Sequence, residues 1–467
     1  MLILSTRPKL SDLIPLILGP IIGIIVWVAP LDMVHEAKLC GGIILWVACW
    51  WLCSLIPLHV SVLAGLLLAH FLNLAPWPEL LKPFSDPIIF LFMGGFFLAQ
   101  AVEYHRLDQW LVQATLANPN VSGNSQRLFL GLIGITMIMS AFLSNTATAA
   151  LAVPIGVEIL RRNNLDITSH SKLLLLLAAA ASIGGTMTPV GSPPNMIALG
   201  LMKKITGTRP DFVTWFLHMA PLSLAVMGGI LALYWKDLKK LPHDRGIKSV
   251  KTPITTNQLL VSAILIITAI LWALPGIIST VAPVNIAAFI VRIFPESVVA
   301  VCAGLMLMLT PTSDGPLLPW KEAQKIDWGI LLLFGGGLSL GELAFSTGLA
   351  HVLAQQIDSF SWLSPSILLA LAIVSTIFLT ELVSNTATAN LIIPVLLASP
   401  FFLATPERTI YAIVAAANLA FMLPVGTPPN AIVYSTGLIK LSTMMSRGFW
   451  ANSISASIII LMSLLFF

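Results

Sequence analysis

Charge is what this sequence has least of. Its 467 residues include 24 basic and 20 acidic side chains, against 57% in the hydrophobic set. Soluble surfaces are roughly 25–35% charged, and a chain with 9% charged residues cannot cover a water-facing fold of this length. A soluble globular protein is therefore excluded. The net charge of +4 is too small and too scattered for a nucleic-acid partner. Cysteine is scarce as well: Cys40, Cys49, Cys53 and Cys302 all fall in apolar stretches, with no His or carboxylate beside Cys49 and Cys53 to complete a metal set. They read as small hydrophobes in membrane helices. The motifs GxxxxGK(S/T) and HExxH are missing, so a built-in ATPase is not expected. No acid–base or nucleophile–base pair of the kind an intramembrane enzyme needs stands out, and the chain reads as a non-enzyme.

What is present is apolar sequence, in runs of about 20 residues from residue 12 onward. These favour an all-α polytopic membrane protein over a barrel, whose strands would alternate apolar and polar residues. Arg7 and Lys9 precede an apolar stretch from Leu13 to Pro30 that lacks a small-residue cleavage site. Residues 1–38 are read as an extra N-terminal transmembrane helix, not a signal peptide.

The remainder is an internal repeat. SNTATA occurs at Ser144–Ala149 and again at Ser384–Ala389, with Pro154 and Pro394 at matching distances. PVGSPPN at Pro189–Asn195 answers PVGTPPN at Pro424–Asn430, and Phe92-Met93-Gly94-Gly95 answers Phe334-Gly335-Gly336-Gly337. The first repeat is placed at 39–235, with helices 39–118 followed by a hairpin and helices over 128–235. The second is placed at 257–467, with helices 257–360 followed by a hairpin and helices over 366–467. Between them, 236–256 forms a basic loop. Lys236, Lys239, Lys240, Arg245, Lys248 and Lys251 make it the densest positive cluster, which assigns it to the cytoplasm. The expected architecture has about 11 transmembrane helices plus two re-entrant hairpins. If 128–160 and 366–402 each return to the side they entered, the repeats have inverted topology. Lys203, Lys204 and Arg209 then fall outside, against the positive-inside tendency.

The motifs point to a binding site. As one helix, 128–160 would be about 50 Å long against a hydrocarbon core of about 30 Å. A polar cluster at its midpoint suits a hairpin with its tip near the midplane, and the same holds for 366–402. PVGSPPN and PVGTPPN should unwind helices 173–202 and 409–437 near Gly191 and Gly426. Broken helices set carbonyl ends, which suit a small hard cation, beside N-termini, which suit an anion. Across 173–202 and 409–439 there is no charged residue. An anionic substrate would be held by neutral Ser, Thr and Asn donors, helix ends and co-bound cations. Glu381 stands as a proton or cation site or as a structural carboxylate at the hairpin, with the second preferred; Glu103 and Glu342 have weaker claims. Thr148 and Thr388 are expected to bond back to their own helices or to pack, and Asn195 and Asn430 to cap the broken helices. His70 and His351 read as packing or interfacial residues, and Trp46, Trp50 and Trp51 as interfacial or dimer contacts. The sequon Asn120-Val121-Ser122 lies on the cytoplasmic side and is discounted.

The duplicated SNT motifs, each followed by PVG(S/T)PPN, resemble the divalent anion/sodium symporter family, and the match covers essentially the whole chain. The resemblance implies an elevator-type transporter with scaffold and transport domains, a homodimer joined through the scaffold, and Na⁺ as coupling ion at two or more sites. It implies that Ser144, Asn145 and Gly191, with Ser140, bind one Na⁺, and that Asn385, Thr380 and Gly426 bind the second. Ser144-Asn145-Thr146 and Ser384-Asn385-Thr386 would grip the two ends of the substrate, helped by Ser192, Thr427 and Pro428. The function it implies is sodium-coupled symport of a C4-dicarboxylate (succinate, malate or fumarate) in the plasma (inner) membrane. A sodium-independent dicarboxylate exchanger, a tricarboxylate transporter and a sulfate transporter remain open, as the motifs do not separate them.

Overall fold

In the computed structural model, residues 10–53, 56–162, 171–242, 253–360 and 362–466 are described. Arg7, Lys9, Arg245, Lys248 and Lys251 lie outside them. The fold is all-α and polytopic; its β structure, among the described residues, is one two-stranded turn pairing Pro311–Thr312 with Gly315–Pro316.

The first half runs through α1 (Leu10–Val28), α2 (His35–Cys53), α3 (Leu58–Phe71), α4 (Pro87–Tyr104) and the short α5 (Leu107–Leu116). Then come α6 (Ser125–Ser140), α7 (Asn145–Arg162), α8 (Leu174–Gly184), α9 (Pro193–Thr206) and α10 (Phe212–Leu238). The second half repeats this with α11 (Thr256–Val281), α12 (Val284–Ile293), α13 (Glu296–Leu309), α14 (Trp328–Ser346) and α15 (Leu349–Asp358). It ends with α16 (Pro365–Leu382), α17 (Asn385–Ala398), α18 (Pro406–Asn418), α19 (Pro428–Ser435) and α20 (Leu441–Leu465). Seven of these helices are long and apolar enough to cross a bilayer, and α12 with α13 form a further span bent by 43°. The protein is thus a multi-pass membrane protein.

Helix starts are marked by side chains that satisfy otherwise orphaned amides. Asp86 caps α4 through Ile88 N, Asn124 caps α6, Asp211 caps α10 and Asp327 caps α14. Thr255 and Gln258 form a capping box at α11. α11 runs through Pro275 to Val281, because a proline inside a long apolar helix forfeits one hydrogen bond without stopping it. The exposed amphipathic α12 after it was not anticipated.

Packing is reciprocal between the halves. α3 packs on α14 while α4 packs on α13; α8 packs on α19 while α9 packs on α18; α7 packs on α19 while α9 packs on α17. Exchange of this kind is what a pseudo-twofold relation between repeats requires. The excess positive charge at the α9–α10 corner is offset locally. Lys204 pairs with Glu342 on α14, and Arg209 lies 3.0 Å from Glu296 at the start of α13.

Candidate functional site

The segment 128–160 is interrupted at residues 141–144, making α6 and α7 a hairpin whose tip carries Ser144 and Asn145. α16 and α17 form the second hairpin, with Ser384 at the tip, where its hydroxyl accepts from Ala387 N at 3.3 Å. The two PVG(S/T)PPN segments break their helices over 185–192 and 419–427. Gly191 and Gly426 do sit in these breaks, but neither has a left-handed backbone. Glycine is needed at 191 for clearance: a Cβ there would stand 2.6 Å from the Gly185 oxygen and 2.9 Å from the Ala141 oxygen.

The four interruptions meet around one cavity of about 280 Å³. Its polar wall comprises Ser144, Asn145, Thr146, Ser192, Ser384, Asn385, Thr386 and Thr427, with Gly191, Gly426 and Pro428 beside them. The opposite wall is apolar: Phe92, Phe96 and Ala99 from α4, Ile330 and Leu333 from α14, and Leu58 from α3. No charged side chain lines it. Four helix N-termini converge there, those of α7, α9, α17 and α19, and each carries partial positive charge. α9 and α19 begin with two prolines, which lack N–H groups, so backbone donors at the cavity come from the SNT tips. Such a site suits a small anion held without a fixed cationic residue. A second space of about 330 Å³ shares Phe96, Ser144, Thr146 and Ile330 and leads past Glu103, Asp108, Lys325 and Asp327. Burial pushes the Asp108 carboxyl above its ordinary value, and nearby Glu103 adds to the rise.

Behind the anion cavity lie two clusters of oxygens at helix C-terminal ends. In the first, Ser140 Oγ is 2.7 Å from Asn145 Oδ1 and 2.6 Å from the Ala181 carbonyl. Asn145 Oδ1 also lies 3.3 Å from the carbonyls of Gly191 and Ala181. In the second, Thr380 Oγ1 is 2.7 Å from Asn385 Oδ1 and 2.8 Å from the Ala417 carbonyl. One hydroxyl carries one proton and cannot serve two acceptors at once, so both clusters hold surplus lone pairs. A small hard cation is the group that consumes them. Turned over, the Asn145 amide would instead donate to the same three oxygens, which gives the first cluster a cation-free alternative.

Of the expected cation ligands, Ser140, Asn145 and Gly191 come together in the first cluster, and Thr380 and Asn385 in the second. Ser144 lines the cavity. Gly426 also lines it, and a Cβ there would meet Ala420 at 3.1 Å and Glu381 Oε2 at 3.2 Å. Asn195 and Asn430 act inside the breaks. Asn195 Nδ2 donates to the Gly185 and Thr188 carbonyls, and Asn430 Nδ2 to those of Ala420 and Leu423. Glu381 is buried and structural: Oε1 accepts from Phe421 N, Met422 N and Asn452 Nδ2, and Oε2 from Leu423 N. Thr148 and Thr388 are buried and do not bond back to their helices.

Sequence reasoning missed the Ala181 and Ala417 carbonyls, Thr188, Asn452 and Asn418. A signal existed for part of this: alanine runs, Ala178–Ala181 and Ala415–Ala417, precede the two breaks.

Residues 43–407 match the citrate transporter family. The chain is 32% identical, over 97% of its length and 90% of theirs, to the sodium-dependent dicarboxylate transporter SdcS of Staphylococcus aureus strains bovine RF122 / ET3-1 and USA300. The chain belongs to the divalent anion/sodium symporter family. It is a transporter and not an enzyme. Among solved structures, the YdaH transporter of Alcanivorax borkumensis shares the fold, with a TM-score of 0.57, 13% identity and coverage of 97% of this chain and 96% of that one.

Proposed function

We propose that this protein is a sodium-coupled symporter of C4-dicarboxylates in the plasma membrane, working by an elevator mechanism. The observation that carries the reading is the charge-free anion cavity backed by the oxygen clusters at Ser140–Asn145 and Thr380–Asn385, the second of which holds surplus acceptors. A dianion placed there meets helix N-termini and neutral donors, and its charge is balanced only when cations occupy the clusters behind it. Cations therefore bind first and complete the anion site. The name of the S. aureus relatives supports both ion and substrate class. At about 280 Å³ the cavity falls just below the roughly 300 Å³ at which drug-sized pockets begin, which suits a four-carbon diacid.

The division of the cavity wall supports the elevator. Every polar group belongs to the hairpins and broken helices, whereas α3, α4 and α14 offer only apolar surface. The hairpin group can then slide along a smooth wall with its cargo. Glycines sit where the two groups touch, Gly95 facing Val190 and Gly337 facing Asn390. With 236–256 cytoplasmic, the mouth at Glu103, Lys325 and Asp327 opens inward. Two copies joined through α3, α4 and their neighbours would leave the hairpin groups free to move.

The test is uptake of radiolabelled succinate into proteoliposomes, with the Na⁺ gradient and internal succinate varied separately. Uptake into empty vesicles driven by inward Na⁺ and lost in choline is expected, with citrate and sulfate weak competitors. Uptake that ignores Na⁺ but requires internal succinate would identify an exchanger. Asn145→Ala and Asn385→Ala should each abolish Na⁺-driven uptake.

A further inference from the structure

Asn418 ends α18 at the edge of the second break and is fully buried. Its side chain and its backbone serve different repeats. Oδ1 accepts from Ser192 Oγ at 2.6 Å, and Nδ2 donates to Asn195 Oδ1 at 3.0 Å and to the Val414 carbonyl at 2.9 Å. The backbone oxygen of Asn418 accepts from Asn385 Nδ2 at 3.4 Å. Asn385, Asn418 and Asn195 thus form one hydrogen-bonded line from the second oxygen cluster into the first break. At its far end Asn195 holds the Gly185 and Thr188 carbonyls. Ser192, the side branch, lines the anion cavity. The link runs one way only: Ser182, which follows the Ala181 carbonyl as Asn418 follows that of Ala417, has a buried hydroxyl with no hydrogen-bond partner.

We infer that Asn418 is a positioning residue that couples occupancy of the second cation cluster to the geometry of the first break and of Ser192, so that the two cations bind cooperatively. A cation on Asn385 Oδ1 fixes that amide plane, and with it the Nδ2 contact to Asn418. The Asn418 side chain then holds Ser192 and Asn195 in the positions that shape the anion cavity and the first break. A polar line of this kind, buried at Asn418 and Asn195, has few alternative arrangements, which is what lets it pass a local change onward.

This inference rests on the sodium-coupled reading above, and one experiment separates the two. Succinate uptake into proteoliposomes is measured against Na⁺ concentration for the wild type, Asn418→Ser, which installs the residue that follows Ala181, Asn418→Ala and Ser192→Ala. Expected is a wild-type Hill coefficient above 1 that falls to about 1 in both Asn418 variants. Half-saturating Na⁺ should rise by about 5-fold or more, the lower end of usual coupling between sites, with a smaller fall in maximal rate. Asn418→Ala added to Ser192→Ala should cost much less than the two single effects combined, since the pair shares one bond. A merely structural residue would lower the maximal rate and leave the Hill coefficient unchanged, and that result overturns the inference. Independent effects of the two substitutions, or a sodium-dependent wild type without cooperativity, overturn it equally. Size-exclusion profiles report folding, and Asn418→Ser, which keeps a polar side chain, carries the test if Asn418→Ala does not fold. Wild-type uptake indifferent to Na⁺ would instead remove the symport reading itself.

Discussion

The two helix breaks come from nearly the same motif and are held open by different chemistry. In the first, residues 185–192, the chain satisfies itself: Thr186 N donates to the Ile183 carbonyl and Met187 N to that of Gly184, each at 3.1 Å, and the Thr188 hydroxyl donates to the Ala141 carbonyl. In the second, residues 419–427, the amides of Phe421, Met422 and Leu423 turn to the Glu381 carboxylate at 2.6–3.0 Å. Ala141 occupies the place in the first hairpin that Glu381 occupies in the second. An unwound stretch in the membrane must pair its amides inside the protein. A local turn does this without burying charge, whereas a carboxylate serves more donors but is tolerated only when fully surrounded by them. The N-caps diverge in the same way. Thr427 accepts from Asn430 N and caps α19, while the Ser192 hydroxyl is given to Asn418.

The largest predicted difference follows from that contrast. Glu381→Ala strands three amides and Asn452 together, and hydrogen bonds to charged groups are worth about 1.5–3 kcal/mol each. It should remove transport and lower detergent-solubilised stability by several kcal/mol. Thr188→Val in the first break should cost about 1 kcal/mol. Equal melting shifts for the two variants would dissolve the contrast.

Clearance separates the breaks next. Gly191→Val pushes a side chain into backbone oxygens and should abolish Na⁺-driven uptake. Gly426→Val meets the Ala420 and Glu381 side chains at 3.1–3.2 Å and should leave measurable uptake. A ranking in the opposite order would mean that the second break is the tighter one. Where the breaks agree, the response should agree as well. Asn195→Ala and Asn430→Ala each release two carbonyls, a shared loss of about 1–3 kcal/mol in thermal melts. Asn195→Ala should exceed it, because Asn195 Oδ1 also accepts from Asn418 Nδ2, and equal losses would deny that bond a share in stability. The smallest effect belongs to the outer ion pair: Lys204→Gln should change stability by no more than about 1 kcal/mol, because both partners are partly exposed. A larger loss would show that this contact between α9 and α14 holds the conformation.

Much of this was readable in the chain because membrane proteins constrain their sequences so tightly. Scarce charge and recurring apolar runs determined an all-α polytopic protein, and duplicated SNT and PVG(S/T)PPN motifs determined two hairpins, two breaks and the residues facing the cavity. Polar and helix-breaking residues at membrane depth have few other uses. Tertiary structure alone decided which oxygens gather around Asn145 and Asn385, since the Ala181 and Ala417 carbonyls carry no side-chain signature. It also decided that Glu381 serves backbone amides 40 residues away and that Asn418 reaches across the repeats. Those partners are set by how separate helices pack, and a hydrogen bond between distant segments depends on geometry that no local pattern of residues records.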